Sequence, residues 1–510
     1  MSGFTVHDLM RAESAPASAT REAEPIRLSA LAERIANLPL QPSYSAAVLS
    51  GLIRAADFLI VAGAGLVLYA LLPIHPGEFS NGYLLASLGV GAFVVFALEA
   101  MQGYNPPTLR SLRSQGVRIF ACWTFVFLAA LAALFFLKIG TSYSRTWLAL
   151  WFASGLALIL LQRIIVASFV RKLTRIGRLD RRTVIVGGGA PGEQLIRAIE
   201  AQPDSDVRIL GVFDDRADER SPDIVAAYPK LGGVDDLVEF ARRTRVDLIV
   251  FSVPISAEGR ILAMLRKLWV LPIDIRLSAH TSRLRFRPRS YSYIGSVPVI
   301  DVVDRPIADW DVVLKWLFDK IVGALLLIAT SPILLAAAIA VRLDSRGPIF
   351  FKQRRYGFNN ELVEVYKFRS MHIDAADATA SRLVTRDDPR VTRVGRFIRK
   401  TSIDELPQLF NVVFKSNLSL VGPRPHAIHA KAANKLYDDV VDGYFARHKV
   451  KPGITGWAQI NGWRGETDTQ EKIQRRVEHD LFYIENWSLF FDLYILFKTP
   501  FALLKTESAY

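Results

Sequence analysis

The sequence predicts a multi-domain membrane protein: a bundle of four transmembrane helices, a Rossmann-like α/β middle domain, and a mainly α-helical C-terminal domain with a further, re-entrant membrane helix. Three observations predict this organisation. The 510 residues are 51% hydrophobic although 22% are charged, and the mean hydropathy is +0.23, so apolar residues must be concentrated in long segments. A glycine-rich turn follows a β-branched run in the middle of the chain, and a last apolar segment contains an internal proline. The composition excludes a wholly disordered chain, and the single cysteine, Cys122, excludes a disulfide framework and a cysteine-based zinc site.

The N-terminal third begins with a polar tail and continues as a series of apolar runs. Residues 1–45 show no sustained hydrophobic period and no signal-peptide pattern, so we expect a mostly disordered cytoplasmic tail with a short helix around Leu28–Leu38. Within residues 46–172, four apolar runs each approach the ~20 residues that a membrane-spanning helix needs. They cover residues 48–72, 83–101, 117–137 and 147–170. A buried helical bundle in a soluble protein is the alternative, but four runs of this length favour transmembrane helices.

The charges of the connecting segments predict the orientation of this bundle. The first loop, residues 75–82, contains no Lys or Arg, whereas arginines flank the second connection and a cluster of basic residues follows the fourth run. The positive-inside rule then places both ends of the bundle in the cytoplasm. The net charge of +14 is accounted for by these loops and by C-terminal cations that face membrane lipids or a diphosphate, so no nucleic-acid partner is expected.

A Rossmann-like domain is predicted over residues 180–300. A strand-like run is followed by a glycine turn and a helix start, which matches the G-x-G-x-x-G pattern in the correct context. The glycines are Gly187, Gly189 and Gly192. A second strand, residues 207–213, ends at Asp214, near the position of a ribose-binding acid. Two interpretations remain open: the loop binds a nucleotide diphosphate, or its glycines only allow a tight turn and close packing of the helix on the sheet.

The C-terminal domain, residues 305–510, begins with an apolar segment at about 312–341 that differs from the earlier runs. Ser331 and Pro332 lie in its middle, where Pro removes a helix hydrogen bond and bends the chain. Basic residues flank both of its ends. Hydropathy alone predicts a fifth span, whereas the charges favour a broken helix that enters the membrane and returns to the cytoplasm.

Asp404 and Glu405 are adjacent carboxylates within a block of Arg and Lys residues. Because Pro407 is tolerated only in the first turn of a helix, we expect a helix to begin at Asp404 rather than at Ser402. Helix capping is one interpretation of such a pair. The surrounding cations favour a catalytic one, since an ionised Asp beside a bound phosphate can act as a nucleophile and the adjacent carboxylate can hold Mg²⁺.

Arginines recur at every third position just before this pair, which places them along one side of a helix. They are Arg390, Arg393, Arg396 and Arg399. Such a face is either solvated or directed at anionic lipid headgroups.

Several short motifs occur in a fixed order in this domain. They are Ser331-Pro332, Lys367-Phe-Arg369, Asp388-Pro-Arg390, Asp404-Glu-Leu-Pro407, Val421-Gly-Pro-Arg-Pro425 and Pro452-Gly-Ile-Thr-Gly-Trp457. Over about residues 309–498 the sequence thereby resembles the bacterial sugar transferases, the monotopic polyprenyl-phosphate phosphoglycosyl transferases. The resemblance implies a re-entrant membrane helix. It also implies transfer of hexose-1-phosphate from a UDP-sugar to undecaprenyl phosphate, with release of UMP, at the bacterial inner membrane.

The resemblance also implies roles for individual residues. Asp404 is the expected nucleophile that forms a covalent phosphosugar intermediate, and Glu405 is its partner at Mg²⁺, with Asp480 as a further acid near the metal. The expected phosphate- or carboxylate-binding residues are Lys367, Arg369, Arg424, Arg464 and Arg354. The family's Asn-Gly-Arg appears here with an inserted Trp, as Asn461-Gly-Trp-Arg464, which leaves the role of Arg464 open.

The spans and the Rossmann-like domain resemble the large members that start exopolysaccharide repeat units. This similarity implies UDP-glucose as donor, with UDP-galactose as the alternative, and we expect a homodimer. A membrane NAD-dependent nucleotide-sugar dehydratase or epimerase is a rival, but the only suitable Tyr-x-x-x-Lys found, Tyr494 to Lys498, lies far from the glycines in a hydrophobic segment. A non-catalytic scaffold for polysaccharide assembly is the other rival, and the intact Asp404-Glu405 pair argues against it.

Overall fold

The computed structural model describes most of the chain. The described residues are 28–38, 43–72, 81–202, 206–216, 221–254, 256–279, 292–295, 297–372, 388–425, 431–432, 435–436, 444–463 and 469–505. The chain divides into two compact units, one comprising Pro39–Arg181 with Pro203–Arg208 and the other comprising Met1–Leu38, Arg182–Gln202 and Ile209–Tyr510.

A short helix, α1 (Ala30–Ala36), precedes the membrane helices and belongs to the second of these units. Ala32 and Ala36 lie four residues apart on one face of the helix, and together with Leu28, which precedes the helix, they are buried in the core of the middle domain. The Ser29 hydroxyl donates to the Leu231 carbonyl at 2.9 Å. The short helix predicted around Leu28–Leu38 is therefore confirmed, and its buried face packs into the core of the middle domain. Residues 1–27 lie outside the described part.

The first unit contains four long apolar helices at the predicted positions, joined by a short helix. They are α2 (Ala46–Leu71), α3 (Asn81–Ala100), the short α4 (Pro106–Arg110), α5 (Leu112–Phe136) and α6 (Arg145–Arg175). The four long helices are long and apolar enough to cross a membrane. Many of their Leu, Ile and Phe side chains are exposed, as expected for a surface that faces lipid.

Aromatic and charged side chains fill the interior of this bundle. The indole N–H groups of Trp147 and Trp151 donate to the carbonyls of Gly65 and Val61, each at 2.8 Å. A polar group inside a membrane needs such a partner because lipid offers none. The charges that interrupt the apolar runs follow the same rule: Asp57 is fully buried and accepts a hydrogen bond from Arg163 at 2.5 Å.

The middle domain is an eight-stranded mixed sheet with the order β3-β4-β2-β1-β5-β6-β8-β7. Its strands are β1 (Arg181–Val186), β2 (Val207–Phe213), β3 (Ile224–Val225), β4 (Tyr228–Gly232), β5 (Leu248–Phe251), β6 (Asp274–Ser278), β7 (Ser292–Ile294) and β8 (Val297–Val303). Its helices are α7 (Gly189–Glu200), α8 (Val234–Arg243) and α9 (Glu258–Leu268). The pairs β2–β4, β1–β5 and β5–β6 are parallel, as predicted, whereas β8 pairs antiparallel with β6 and β7.

The C-terminal domain is built around one long helix and a mostly helical core. Its elements are α10 (Asp309–Asp344), β9 (Phe350–Tyr356), β10 (Leu362–Phe368), α11 (Arg393–Lys400), α12 (Gln408–Phe410), β11 (Ser419–Val421), β12 (Lys431–Ala432), β13 (Lys435–Leu436), β14 (Gly453–Thr455), α13 (Trp457–Ile460), α14 (Gln470–Glu485) and α15 (Leu489–Lys505). The β9–β10 hairpin is antiparallel, and β11 pairs parallel with β14. Helix α10 is a fifth helix with the length and composition of a membrane span.

Helix α10 continues through the predicted interruption at Ser331 and Pro332. The predicted break therefore does not interrupt the helical assignment, and the re-entrant course of the helix stays a prediction. Pro332 cannot donate to the Ile328 carbonyl, its normal partner four residues earlier. The Ser331 hydroxyl donates to that carbonyl instead, at 2.7 Å. Serine thus supplies the hydrogen bond that proline removes, and the chain stays helical.

Candidate active site

Asp404 and Glu405 lie in a single 3₁₀ turn, Ile403–Glu405, directly after α11. Ser402 precedes the turn in the left-handed region, with φ 59°, a conformation that is uncommon for a residue with a side chain. Its hydroxyl makes no capping hydrogen bond. The α-helix begins only at Gln408, later than the predicted start at Asp404. The carboxylates are therefore presented by a tight turn rather than by a helix end.

Glu405 is held by two cations that come from distant parts of the chain. Lys367, on β10, contacts Glu405 Oε1 at 2.9 Å. Arg424, in the loop after β11, reaches Oε1 at 2.6 Å and Oε2 at 3.3 Å. The two-nitrogen contact fits the fork geometry of a guanidinium with a carboxylate. The structure thus brings together three residues of the predicted site, Glu405, Lys367 and Arg424.

Asp404 lies beside this ion cluster but makes no hydrogen bond or salt bridge with another described residue. Burial raises the pKa of its carboxyl to about 6; the charge of Lys367 opposes this shift, while the neighbouring charge of Glu405 adds to it. At neutral pH the group is mostly ionised. An ionised carboxylate next to cations has the properties of a nucleophile for a phosphoryl group.

The loop that carries Arg424 is held in place by contacts with other parts of the chain. The Gly422 N–H donates to the Thr455 carbonyl at 2.9 Å, and a Cβ on Gly422 would lie 2.5 Å from the Lys451 carbonyl oxygen, so only glycine allows this close approach. Arg447, whose side chain is fully buried, donates to the Arg424 carbonyl at 3.0 Å. The arginine that contacts Glu405 therefore projects from a rigid loop.

Asp480, predicted to lie near the metal, is 2% exposed on α14 and forms a salt bridge with Arg447. A buried arginine needs such a counter-charge. The recorded partner of Asp480 is thus a cation that supports the Arg424 loop. Its predicted metal role receives no support from this contact.

Arg369 was predicted to bind phosphate, but the structure places it at the C-terminal end of α10. Its guanidinium donates to the carbonyls of Val341, Ser345 and Arg346. The Ser345 and Arg346 carbonyls follow the last helical residue, and the Val341 carbonyl also accepts the Ser345 N–H at 3.4 Å. A positive charge there complements the helix dipole. Arg369 is only 5% exposed, so we reassign it as a cap of the membrane helix.

Arg354 and Arg355 lie on opposite faces of the β9–β10 hairpin. Cross-strand partners share a face: Lys367 pairs with Phe351, whereas Arg354 pairs with Glu364. Arg354 therefore lies on the face opposite Lys367, and its predicted place in the cluster is wrong. Arg355 shares the face of Lys367.

Arg355 was missed by the sequence analysis. Its guanidinium reaches the Pro425 carbonyl at 3.5 Å, one residue beyond Arg424. Residues 351, 353 and 355 alternate with 352 and 354 along β9, and this period-two pattern could have identified it once the face of Lys367 was known. Arg464, the last predicted arginine, lies outside the described residues.

The predicted glycine loop joins β1 to α7. Gly187 and Gly189 adopt φ 105° and φ 74°, and a Cβ on Gly192 would lie 2.5 Å from the Gly187 carbonyl oxygen. Each glycine therefore has a conformational or packing reason in the fold itself.

Asp214, which follows β2, lies against this loop. It accepts the Gly188 N–H at 2.7 Å and salt bridges from Arg216 at 2.6 Å and Arg260 at 3.1 Å. Despite burial, these hydrogen bonds, those of Arg216 above all, lower the pKa of Asp214 to about 2. The Gly188 N–H is therefore not free for a nucleotide phosphate.

Among the described residues, Asp404 and Glu405 are the candidate ligands for a metal ion at this site. Within the described ranges no group of three or more His, Cys, Asp or Glu residues is arranged to hold a metal ion. Mg²⁺ usually takes one or two protein carboxylates and completes its shell with water and substrate phosphates. Asp404 and Glu405 supply two adjacent carboxylates, and Glu405 would share its oxygens between the metal and its partners Lys367 and Arg424. Asp480 is 2% exposed and pairs with the fully buried Arg447.

Comparisons with known proteins cover nearly the whole chain. Residues 310–506 match the family described as bacterial sugar transferase, and residues 99–279 match the family described as CoA-binding domain. The chain is similar to the UDP-glucose:undecaprenyl-phosphate glucose-1-phosphate transferase of Xanthomonas campestris pv. campestris, with 34% identity over 480 residues, which is 92% of this chain and 96% of the relative. The same name is carried by a Klebsiella pneumoniae relative, 36% identical over 91% of this chain and 97% of its own length. An Escherichia coli (strain K12) relative, also so named, is 36% identical over 72% of this chain and 76% of its own length.

Proposed function

Because the chain belongs to the bacterial sugar transferase family, we propose that it acts as a phosphoglycosyl transferase that moves glucose-1-phosphate from UDP-glucose to undecaprenyl phosphate. Relatives so named match it over more than nine-tenths of both chains. The observation that carries the proposal is the Asp404 carboxylate, which has no ion-pair partner among the described residues and lies beside Glu405, Lys367 and Arg424. UDP-galactose is the alternative donor, since it differs from UDP-glucose in the orientation of one hydroxyl.

The proposed reaction has two displacement steps at phosphorus. In the first, an Asp404 oxygen attacks the β-phosphorus of UDP-glucose, the bond from that phosphorus to the bridging oxygen breaks, and UMP leaves with the bonding electrons. This leaves glucose-1-phosphate joined to Asp404 as an acyl-phosphate. In the second, a phosphate oxygen of undecaprenyl phosphate attacks the same phosphorus, the bond to Asp404 breaks, and the free carboxylate is restored.

The cations of the site would bind and orient the phosphates. Lys367 and Arg424 hold Glu405 in place and lie where they can also neutralise phosphate oxygens. Mg²⁺, when bound at Glu405 and Asp404, would supply further neutralisation of the diphosphate. Arg447 and Asp480 act indirectly. Arg447 holds the main-chain carbonyl of Arg424, and Asp480 pairs with Arg447.

The membrane topology that we propose places the site at the cytoplasmic surface. Helix α1 and the sheet that follows the four spans share one core, and a packed core lies on one side of a bilayer. An even number of spans must therefore lie between them. With the basic segments after the fourth run, this supports a cytoplasmic catalytic domain in the inner membrane.

We further propose that α10 is re-entrant. Near its start, Asp319 accepts hydrogen bonds from Ser419 and Leu420 at 3.0 and 3.1 Å. At its end, Asp344 accepts from the Val394 N–H at 3.0 Å. These anchors are roughly 37 Å apart along a helix, more than the ~30 Å hydrocarbon core. A single catalytic domain cannot hold both ends if the helix crosses the bilayer. This supports a helix that enters one leaflet and returns, which requires a bend, and Pro332 inside α10 is the place for it.

The topology has a direct test by cysteine labelling. In a Cys122→Ser background, single cysteines at Lys320 and Arg342 should both react with a membrane-impermeant maleimide in inverted vesicles and neither in right-side-out vesicles. Labelling of the two positions from opposite sides would mean that α10 spans the membrane.

The amphipathic helix α11 supports membrane contact by the same domain. Arg393 and Arg396 are exposed, and Phe397 beside them is 61% exposed. Exposed cations next to an exposed aromatic ring are suited to anionic headgroups and the acyl boundary.

We assign the glycine loop of the middle domain a structural role, because Asp214 already occupies its Gly188 N–H, and we route no catalytic step through it. A role in the first membrane step of exopolysaccharide synthesis follows from the proposed substrates. The homodimer expected from the sequence stays a prediction, which the mass of the purified protein in detergent would test.

The decisive experiment for the function measures UMP. Purified protein with UDP-glucose, undecaprenyl phosphate and Mg²⁺ should release UMP, and UDP-galactose in its place should be a poorer donor. Asp404→Asn should reduce the rate by at least about a thousandfold, since the first bond cannot form. UMP release at an unchanged rate by this variant would overturn the assignment of the nucleophile, and failure of the wild type with every UDP-hexose would overturn the function.

A further inference from the structure

An apolar groove lies between α10 and α15 and opens beside the active site. It has a volume of about 190 Å³. Its walls include Leu326, Thr330, Leu406, Leu409, Leu496 and Ala502. We propose that this groove, called here the α10–α15 groove, receives the phosphate-proximal part of the acceptor's polyprenyl chain. The inference rests on the proposed function and deepens it, because it assigns a place to the lipid substrate.

The groove is continuous with the catalytic turn. Glu405 is itself part of its lining, and Leu406 and Leu409 follow in the chain. A lipid whose hydrocarbon lay in the groove would therefore present its phosphate to Glu405, Lys367 and Arg424, two of which are cations. This arrangement matches an anionic head joined to an apolar chain.

The groove is also accessible from the membrane. On α10, Leu325 and Ile328 are 61% and 70% exposed, and on α15, Phe497 and Phe501 are 70% and 53% exposed. Side chains of this kind belong in hydrocarbon. Because both walls of the groove carry such residues, a chain already in the bilayer can enter sideways without crossing water.

The polar groups in the lining are largely satisfied within the protein. The Thr330 hydroxyl donates to the Leu326 carbonyl at 2.8 Å, and the Thr499 hydroxyl donates to the Ile495 carbonyl at 2.8 Å. A surface whose hydroxyls are already bonded offers little to a sugar and much to a hydrocarbon. Apolar cavities of about 150 Å³ bind molecules as small as benzene, so the groove has room for a short stretch of the chain.

One polar atom of the lining points to the alternative occupant of the groove, the donor sugar. Gln459 Oε1 is buried and has no hydrogen-bond donor among the described residues. If the groove instead held the donor sugar, a sugar hydroxyl could satisfy this atom. The two occupants act in different half-reactions, which makes them separable.

The test compares two leucine-to-tryptophan variants on the same helix. Leu496→Trp fills the groove, whereas Leu493→Trp places the same ring on a position that is 45% exposed outside it. The donor half-reaction is followed without acceptor, as exchange of labelled UMP into UDP-glucose. The complete reaction is followed as UMP release against the concentration of undecaprenyl phosphate.

We expect Leu496→Trp to raise the KM for undecaprenyl phosphate by about tenfold or more, equivalent to ~1.4 kcal/mol of lost binding, with exchange within about twofold of wild type. Leu493→Trp should change neither. Equal loss of exchange and of the complete reaction in a folded Leu496→Trp variant would assign the groove to the donor. An unchanged KM, or the same rise in Leu493→Trp, would also overturn the proposal.

Ala502→Leu provides a second, smaller filling variant, for use if Leu496→Trp lowers the apparent Tm. It should raise the same KM with exchange preserved, and a normal KM in this variant would count against the groove. Absence of exchange in the wild type would instead overturn the two-step function, and the groove assignment with it.

Discussion

Replacing Asp480 with Asn should destabilise the C-terminal domain without changing its requirement for Mg²⁺. The substitution preserves shape but removes the negative charge opposite Arg447, whose side chain is 0% exposed, while that of Asp480 is 2% exposed. Removal of one partner from such a buried pair typically costs about 3–5 kcal/mol, because the other charge is left uncompensated. For a domain of about 200 residues this corresponds to a fall in Tm of roughly 6–20 °C.

The assay combines unfolding with a metal titration. Thermal unfolding in detergent gives the apparent Tm, and UMP release against Mg²⁺ concentration gives the metal requirement. Glu405→Gln is the matched comparison, since it neutralises a carboxylate that we propose to hold the metal. It should raise the Mg²⁺ requirement.

A double variant separates the ion pair from other roles of Asp480. Arg447→Met with Asp480→Leu removes both charges, and well-packed apolar replacements of buried pairs are often tolerated. It should recover much of the lost stability but little activity, because Arg447 also holds the Arg424 carbonyl. If Asp480→Asn raises the Mg²⁺ requirement more than about tenfold with the Tm unchanged, Asp480 is a metal ligand and our reasoning is wrong.

Three further predictions concern the ion cluster. Arg355→Ala should lower kcat/KM for UDP-glucose by about tenfold (~1.4 kcal/mol), whereas Arg354→Ala, on the opposite face of the hairpin, should stay within about twofold; equal effects would contradict the register. Arg424→Lys should lower kcat/KM by about tenfold or more, because lysine cannot make the two-nitrogen contact with Glu405; wild-type kinetics would contradict this role. Burial raises the pKa of Asp404 to about 6, so its nucleophilic form is lost as the pH falls. A pH–rate profile at saturating Mg²⁺ should decline with a midpoint at or below about pH 6, since bound metal lowers the pKa further, and a midpoint above pH 7 would contradict the assignment.

Features that depend on local sequence pattern could be predicted before the fold was known. Four runs of about twenty apolar residues form long helices wherever they pack, because a bilayer leaves a backbone few alternatives. The strand–glycine–helix succession at Gly187 likewise became β1, a turn and α7. Asp404 and Glu405 could be identified as candidate catalytic residues because they are adjacent and lie among cations in the sequence.

Contacts between groups that are distant in the chain depend on the tertiary fold. Arg354 and Arg355 are neighbouring arginines that the sequence alone does not distinguish. The pairing of Lys367 with Phe351 shows that Arg355 lies on the same face of the hairpin as Lys367 and that Arg354 lies on the opposite face. Asp480 is matched to a buried arginine 33 positions away, a partnership that no spacing predicts.

Contacts that the sequence does not reveal also explain two differences between prediction and structure on α10. The Ser331 hydroxyl restores the hydrogen bond that Pro332 removes, so a sequence signal for a break became a continuous helix. Arg369 belongs to a motif that suggests phosphate, yet it caps the end of that helix. A side chain's role depends on which unsatisfied groups surround it after packing, and that is determined by non-local contacts rather than by its neighbours in the chain.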